Sequence, residues 1–345
     1  MEKINVLSLF NGMNCGYLAL HNLGIKVNKY YSSEIDTHAI KVAQTLFPDT
    51  IQLGDVTKWR EWNVEWDKID ILIGGSPCQG FIFAGKQLAF DDTRSALFFV
   101  FVEIWEHIKK LNPKAYFLLE NVRMKEEHEN VISNYMGVKP ILINSALLSA
   151  QNRNRLYWTN LSNEPYGLFG YNHCTIPQPK DKGILLMDIL DDEVDEKYFL
   201  SDKLVNFFKT HCEKHKLKGN GFTFNATTGN KKGKCLTTKP GTRPDDNYII
   251  THSTQQRTGK GKGGKGHLFK TDQKSYCLDT TNSQAVELKS NIRRLTPKEC
   301  MRLQTIPEWA IEKMLNCGVS DTQLYRMLGN GWTVDVISYI LSFMK

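Results

Sequence analysis

Apolar runs of six to eight residues alternate with glycine turns and polar-faced helical stretches through the first half of the chain. INVLSLF (4–10) is long enough for a buried strand and too short for a helix. NGMNCG (11–16) follows it, and then YLALHNLG has a helical pattern. Strand, glycine turn and helix in that order open a nucleotide-type α/β unit. VNKYYSSEID (27–36) predicts a second strand ending in Glu34, and YYSSEIDTHAIKVAQTLFP continues as a helix that Pro48 stops. After a short strand and Gly54-Asp55-Val56, IDILIG (69–74) predicts another strand, closed by the tight loop GGSPCQG (74–80). A polar, glycine-containing stretch then runs to about Asp92, and a strongly apolar helix starts near Arg94. AYFLLENV (115–122) reads as a strand, EEHENVISNYMG as a helix, PILINSALLSA as a strand and LSAQNRNRLYW (148–158) as an extended segment. Strands alternating with helices predict an α/β fold around a mainly parallel sheet.

From about Tyr166 the pattern is lost. Prolines, lysines, threonines and glycines dominate, helices become hard to place, and only short β-like runs stand out: FTFNA, NYIITH and SYCLDT. Order returns at RRLTPKECMRLQTIP (293–307), where Thr296 as N-cap and Pro297 at the first helical position form a strong helix start. QLYRMLGNGWTVDVISYILSFM closes the chain with a GNG turn and an amphipathic helix.

A length of 345 residues accommodates one large domain and a smaller one. No run of about 18 apolar residues suggests a membrane span, and the MEKINVLSLF start does not read as a signal peptide. The eight cysteines (15, 78, 174, 212, 235, 277, 300, 317) contain no C-x-x-C pair, which predicts reduced thiols in a cytoplasmic protein, with neither disulfide framework nor metal site. His211, Cys212 and His215 imitate half a metal site on a helix, but a solvated polar face is the simpler reading without a second half. The net charge of +7 is uneven. Residues 201–300 carry 20 Lys+Arg against 8 Asp+Glu, while the remainder is net negative by five. A basic segment within an acidic chain is the footprint of a phosphate-backbone binder, although basic loops also serve as solubilising surface. Its extreme is QRTGKGKGGKGH (256–267), where Arg257, Lys260, Lys262 and Lys265 stand among five glycines. That stretch suits a linker, or a loop laid along phosphates.

Three strand ends carry candidate chemistry. Cys78 sits at the tip of GGSPCQG, with Pro77 fixing the backbone before it, where an α/β enzyme would keep a nucleophile. A single cysteine is also commonly a small buried hydrophobe. The strand 115–122 ends in Glu120 and Asn121. Arg153 and Arg155 are two apart, hence on one face if extended, and a structural salt bridge at the sheet edge would also account for them.

PCQ, then ENV, then QNRNR in that order resembles the DNA (cytosine-5)-methyltransferases, and is closest in feel to the small bacterial and phage members that resemble the animal de novo enzymes. The motifs cover about two thirds of the chain. The resemblance implies a Rossmann-like, S-adenosyl-L-methionine-dependent catalytic domain over 1–165, completed by 293–345, and a smaller, irregular or β target-recognition domain over 166–292. Carried over by motif, Phe10 lies against the cofactor and the turn Asn11, Gly12, Met13, Asn14, Cys15 holds its methionine portion. Glu34 takes the ribose, Ile35 packs on the adenine, and Asp55 with Val56 reads the adenine edge. Pro77, Leu97, Asn330, Gly331 and Trp332 complete the pocket. The family's turn is F-x-G-x-G. Asn14 takes its last place, and asparagine is the side chain that best tolerates a left-handed backbone after glycine.

The resemblance further implies that Cys78 adds to cytosine C6, Glu120 holds N3 and the exocyclic amine, Arg155 touches the carbonyl oxygen and Arg153 lies nearer the phosphate. Gln79 and Ala84 belong to a loop closing on duplex DNA, and Arg257, Lys260, Lys262 and Lys265 meet the DNA as well. The partner is double-stranded DNA, met by a monomer in the cytoplasm of a bacterial or phage-infected cell, at the nucleoid, in the setting of restriction-modification. An RNA cytosine methyltransferase, a catalytically dead DNA-binding regulator and a small-molecule enzyme with a strand-end cysteine are the rivals. The basic middle third argues against the first, and the joint presence of Cys78, Glu120 and Arg155 against the second. The arginine pair and that same basic region argue against the third.

Overall fold

A computed structural model of the chain describes residues 3–77, 93–166, 171–217, 223–254 and 287–344. Its elements in order are β1 (Ile4–Leu9), α1 (Cys15–Asn22), β2 (Val27–Ser33), α2 (Thr37–Leu46), β3 (Ile51–Gln52), β4 (Ile71–Gly74), α3 (Thr93–Leu111) and β5 (Tyr116–Val122). Then come α4 (Glu126–Met136), β6 (Val138–Lys139), β7 (Ile141–Asn144), β8 (Asn154–Thr159), β9 (Asn163–Tyr166), β10 (Tyr171–Cys174) and α5 (Asp202–Leu217). The chain ends with β11 (Ala226–Thr227), β12 (Tyr248–Thr254), β13 (Glu287–Arg294), α6 (Pro297–Leu303), α7 (Glu308–Asn316), α8 (Asp321–Asn330) and α9 (Val334–Leu341).

Seven strands form one mixed sheet in the order β3-β2-β1-β4-β5-β8-β7. The first five run parallel, and β8 is antiparallel to both β5 and β7. Strand order reverses between β1 and β4, so a crevice opens outside the carboxyl ends of those strands, where α/β proteins bind ligands. The strands are apolar on both faces because both are covered. On one side Val6, Ile71, Ile73 and Leu118 pack with side chains of α1, α2 and α6 to α9; on the other Leu7, Leu9, Leu72 and Leu119 pack with Phe98, Phe101, Ile104 and Ile108 of α3.

Local chemistry sets the element ends. The expected helix within YYSSEID begins later, at Thr37, because Tyr31 to Ser33 continue β2 and the Asp36 carboxylate caps α2 by accepting from the backbone of His38 and Ala39. α4 stops at Gly137, whose φ of 68° is the left-handed turn that favours glycine. Thr296 and Glu299 form a reciprocal capping box on α6.

The middle of the chain differs from its sequence reading. Residues 202–217 form a sixteen-residue helix, α5, which carries His211, Cys212 and His215, in a stretch where the sequence pattern makes helices hard to place. Two small sheets lie here, β6-β10-β9 and β11-β12-β13. Of FTFNA only Ala226 enters a strand, β11, while NYIITH becomes most of β12 and SYCLDT lies outside the described residues. At the expected domain edges, β9 ends at Tyr166 and β13 runs from Glu287 to Arg294. Among the described residues no helix is long and apolar enough to cross a membrane.

Candidate active site

The crevice above β1, β2, β4 and β5 holds a cavity of about 520 Å³. Phe10, Asn11, Gly12, Met13, Cys15, Glu34, Ile35, Asp55, Val56, Pro77, Leu97, Glu120, Arg153, Arg155, Asn330, Gly331 and Trp332 all line it. They come from eight separate stretches of sequence, and the strand ends bring them together.

The turn after β1 supplies the floor. Phe10, Gly12 and Asn14 all take positive φ, at 54°, 58° and 66°. A side chain at Gly12 would meet nothing within 4 Å, so glycine is required there by backbone conformation and not by space. Asn14 was expected against the cofactor, but it does not line the cavity. Its buried amide donates to the Ala43 carbonyl (3.1 Å) and Thr50 hydroxyl (3.0 Å) and accepts from Asn11 Nδ2 (2.5 Å). Asn14 therefore ties the turn to α2 and to the residue before β3, while its left-handed backbone starts α1. Cys15 is buried in the wall. Burial pushes its thiol up to about 11, against the lesser downward pull of the Trp332 backbone N–H and the Arg153 charge. A neutral thiol of that kind packs and does not react.

Glu34, just past β2, accepts the Gly12 N–H on Oε2 (2.8 Å) and those of Ile35 and Asp36 on Oε1 (2.8 and 2.9 Å). It holds the β1 turn against the β2 end, and Oε2 retains a lone pair for a ligand hydroxyl. Ile35 beside it is 74% exposed, a large apolar side chain left on the cavity rim. Asp55 Oδ1 accepts from the Thr57 backbone and hydroxyl, both at 2.9 Å, and these bonds hold its carboxyl below the usual range. An aromatic and aliphatic set (Phe10, Ile35, Val56, Leu97) thus shares one cavity with the carboxylates of Glu34 and Asp55, which suits a ligand joining a purine to a ribose and an amino acid.

Glu120 occupies the end of β5 and is 8% exposed. Arg155 of β8 lies opposite, and its Nε is 3.0 Å from Glu120 Oε1. Trp332 donates its indole N–H to Oε2 at 3.0 Å. Gly75 makes room for this arrangement, since a Cβ there would stand 2.8 Å from Oε2 and 3.1 Å from the indole nitrogen. Asn121 donates to the Ser76 carbonyl and hydroxyl (3.3 and 3.4 Å), which ties the β5 end to the loop leaving β4.

Arg153 departs from its expected place near a phosphate. It is 3% exposed, and its guanidinium donates to the carbonyls of Gly331 (2.7 Å) and Gly329 (3.3 Å) and to Cys235 Sγ (3.3 Å). A fork satisfied that way clamps the loop after α8 and has little left for DNA. Gln151, two residues earlier, is fully buried and bonds the Leu303 carbonyl, Gln304 Oε1 and the Leu236 N–H. Cys78, Gln79, Ala84, Arg257, Lys260, Lys262 and Lys265 lie outside the described residues, and Pro77, on the cavity wall, is the last described residue before Cys78.

Motif reading missed Ser33, Asp36, Ala39, Ser76, Val122, Arg326, Met327 and Gly329 as cavity residues. Most adjoin residues it found, so neighbourhood was the available signal. Ala39 and Arg326 enter by helical spacing from Asp36 and Asn330, and Arg326 stands 3.4 Å from Asp36.

The family model of the C-5 cytosine-specific DNA methylases matches residues 4–345. The chain belongs to that family. This DNA (cytosine-5)-methyltransferase depends on S-adenosyl-L-methionine, as the family does, and its family match extends through the middle third that the motifs leave uncovered. It is 31% identical to the type II methyltransferase M.HpaII of Haemophilus parainfluenzae, over 97% of this chain and 87% of that one. To M1.ScrFI of Lactococcus lactis subsp. cremoris it is 33% identical, over 99% and 78%. The orphan methyltransferase M.SPRI of Bacillus phage SPR is 27% identical, over 99% and 97%. In fold, the methyltransferase is similar to the Entamoeba histolytica methyltransferase EhMeth, with a TM-score of 0.68 at 16% identity over 99% and 98% of the two chains. It also resembles S. pombe Dnmt2, at 0.63 and 16% over 99% and 97%. These structural likenesses concern a Rossmann-like catalytic fold.

Proposed function

We propose that the methyltransferase modifies a cytosine swung out of duplex DNA, through a transient bond between Cys78 and C6 of the ring. The observation that carries this is the Glu120 carboxylate, held by Arg155 and Trp332 in the wall of the same cavity as Pro77, one residue before Cys78. Cytosine C5 is a poor nucleophile. Addition of the Cys78 thiolate to C6 forms an S–C bond and makes C5 enamine-like. Glu120 accepts from the exocyclic amine and, when protonated, donates to N3, neutralising the ring as sulfur adds. Arg155 meets the carbonyl oxygen. S-adenosyl-L-methionine, when bound, supplies a methyl group on an electrophilic sulfonium. C5 takes that methyl, a water then accepts the C5 proton, and the returning electron pair expels Cys78.

In this reading Phe10, the turn 11–13, Glu34, Ile35, Asp55, Val56, Leu97 and the segment 330–332 hold the cofactor, with Asn14 and Cys15 supporting the turn. Residues 166–292 form the target-recognition domain, with Arg257, Lys260, Lys262 and Lys265 on phosphates. Gln79 and Ala84 follow the extruded base into the duplex. Extrusion costs a few kcal/mol, which loop closure and phosphate contacts offset. The enzyme acts as a monomer on DNA at the nucleoid, within the cytoplasm, and the names of its bacterial relatives support a setting of type II restriction-modification.

Cys78→Ser is expected to abolish methyl transfer to duplex DNA while retaining DNA binding in a gel-shift measurement. A duplex carrying 5-fluorocytosine, with cofactor, should give an adduct that mass spectrometry maps to Cys78. Full turnover in the serine variant, or no adduct, removes the nucleophile assignment.

A further inference from the structure

Trp332 was expected only to complete the cofactor pocket, and its place in the structure gives it a second task. The indole lines the cavity, yet its one polar atom is aimed at Glu120 Oε2, 3.0 Å away. The other carboxylate oxygen, Oε1, faces Arg155 Nε at 3.0 Å. The ion pair on one oxygen and the indole N–H on the other hold the carboxylate from both sides, and Oε2 keeps one lone pair for a ligand.

The indole itself has little freedom. Its preceding residue, Gly331, has its carbonyl bound by Arg153 (2.7 Å) and by Gln304 Nε2 (3.3 Å). The residue after it, Thr333, donates its hydroxyl to Gln304 Oε1 at 2.9 Å. Arg153, Gln304 and Thr333 are all buried. Across the indole nitrogen lies Gly75, where any side chain would press on both partners of the Trp332–Glu120 bond. The circuit from Glu120 to Arg155, along the chain to Arg153, through Gly331 to Trp332 and back to Glu120 is closed.

We propose that Trp332 is a positioning residue for Glu120: its indole N–H sets the orientation in which that carboxylate meets the cytosine. Trp332 acts through Glu120 and does not itself touch the reacting atoms. Hydrogen bonds to a charged, poorly exposed carboxylate are the stronger kind, so losing the donor leaves Glu120 free to turn about its last torsion. The inference rests on the reading of Glu120 given above.

The test deletes the N–H and keeps the ring. Trp332→Phe is compared with replacement of Trp332 by β-(3-benzothienyl)alanine, which has the shape of tryptophan with sulfur in place of the N–H. Glu120→Gln is measured in parallel. The readouts are single-turnover methyl transfer to duplex DNA, the dissociation constant for S-adenosyl-L-methionine, and the unfolding midpoint. In the benzothienyl variant the transfer rate should fall about 10-fold or more, with the cofactor constant and midpoint little changed. An unchanged rate in that variant, with Glu120→Gln impaired, overturns the positioning role and leaves the reading of Glu120 standing. A rate that falls only in step with cofactor affinity also overturns it, since the indole then serves the cofactor alone. Normal transfer by Glu120→Gln overturns the reading of Glu120 and this inference with it.

Discussion

Gly75 shows how much of the site depends on an absent side chain. A methyl group there would sit 2.8 Å from Glu120 Oε2, and Glu120 is pinned from the other side by Arg155. The carboxylate is the far end of a side chain and can yield, so the loss should fall on geometry more than on stability. Gly75→Ala is expected to slow methyl transfer on the order of 10-fold, about 1.4 kcal/mol in barrier height, with a small shift in urea midpoint. Single-turnover rates beside an unfolding curve check this, and a fully active alanine variant would show that Glu120 tolerates displacement. The ordered motifs singled out Glu120 and Arg155, and the structure brings the two side chains within 3.0 Å of each other. Asn14 and Arg153 were assigned the wrong partners for a common reason. A motif says which residues recur together, but not which way a side chain turns. Asn14 points back to Ala43 and Thr50, and Arg153 inward to Gly329 and Gly331.

The element that joins the middle of the chain to the catalytic sheet is α6 with the strand before it. Its start was readable from Thr296 and Pro297 alone, because capping is local chemistry. Its tertiary role was not. Glu299 is fully buried, accepts two bonds from buried Arg293 (2.7 and 2.8 Å), and also takes the backbone N–H of Thr296 and Asp191. One carboxylate therefore caps the helix, anchors the end of β13 and holds the loop after residue 190. Thr296→Ala removes only the cap and should cost about 1 kcal/mol. Glu299→Ala strands the Arg293 charge in the interior and should cost about 3–5 kcal/mol. Urea unfolding of the two variants separates these values, and near-equal losses would mean that water reaches Arg293 once its partner is gone. α5 was harder to read because its apolar stripe, Leu204, Val205, Phe208 and Cys212, is short and set among charged residues, and only Phe208 of it is buried.

Across the whole molecule, charge and fold divide the chain along similar lines. The sheet and its covering helices belong to a part that is net acidic, and the cavity walls are rich in carboxylates: Glu34, Asp36, Asp55 and Glu120. The twelve surplus positive charges of residues 201–300 sit in the stretch between β10 and α6. A basic segment attracts DNA while an acidic remainder repels it, so contact with a duplex is favoured at that segment. The glycine-rich segment 256–267 decides between two accounts of that attraction. As a linker it contributes diffuse charge; as a phosphate tracker each lysine replaces a counterion at a defined place. The variant with Lys260, Lys262 and Lys265 all changed to Ala should then bind duplex DNA more weakly at low salt. Its plot of log affinity against log salt should flatten by about 0.9 for each phosphate that a lysine no longer neutralises, up to roughly 2.7 for three. Fluorescence anisotropy over a salt series measures that slope. An unchanged slope would assign the segment to the linker class and move the search for phosphate-binding groups to the lysines of α5 and of residues 231–239.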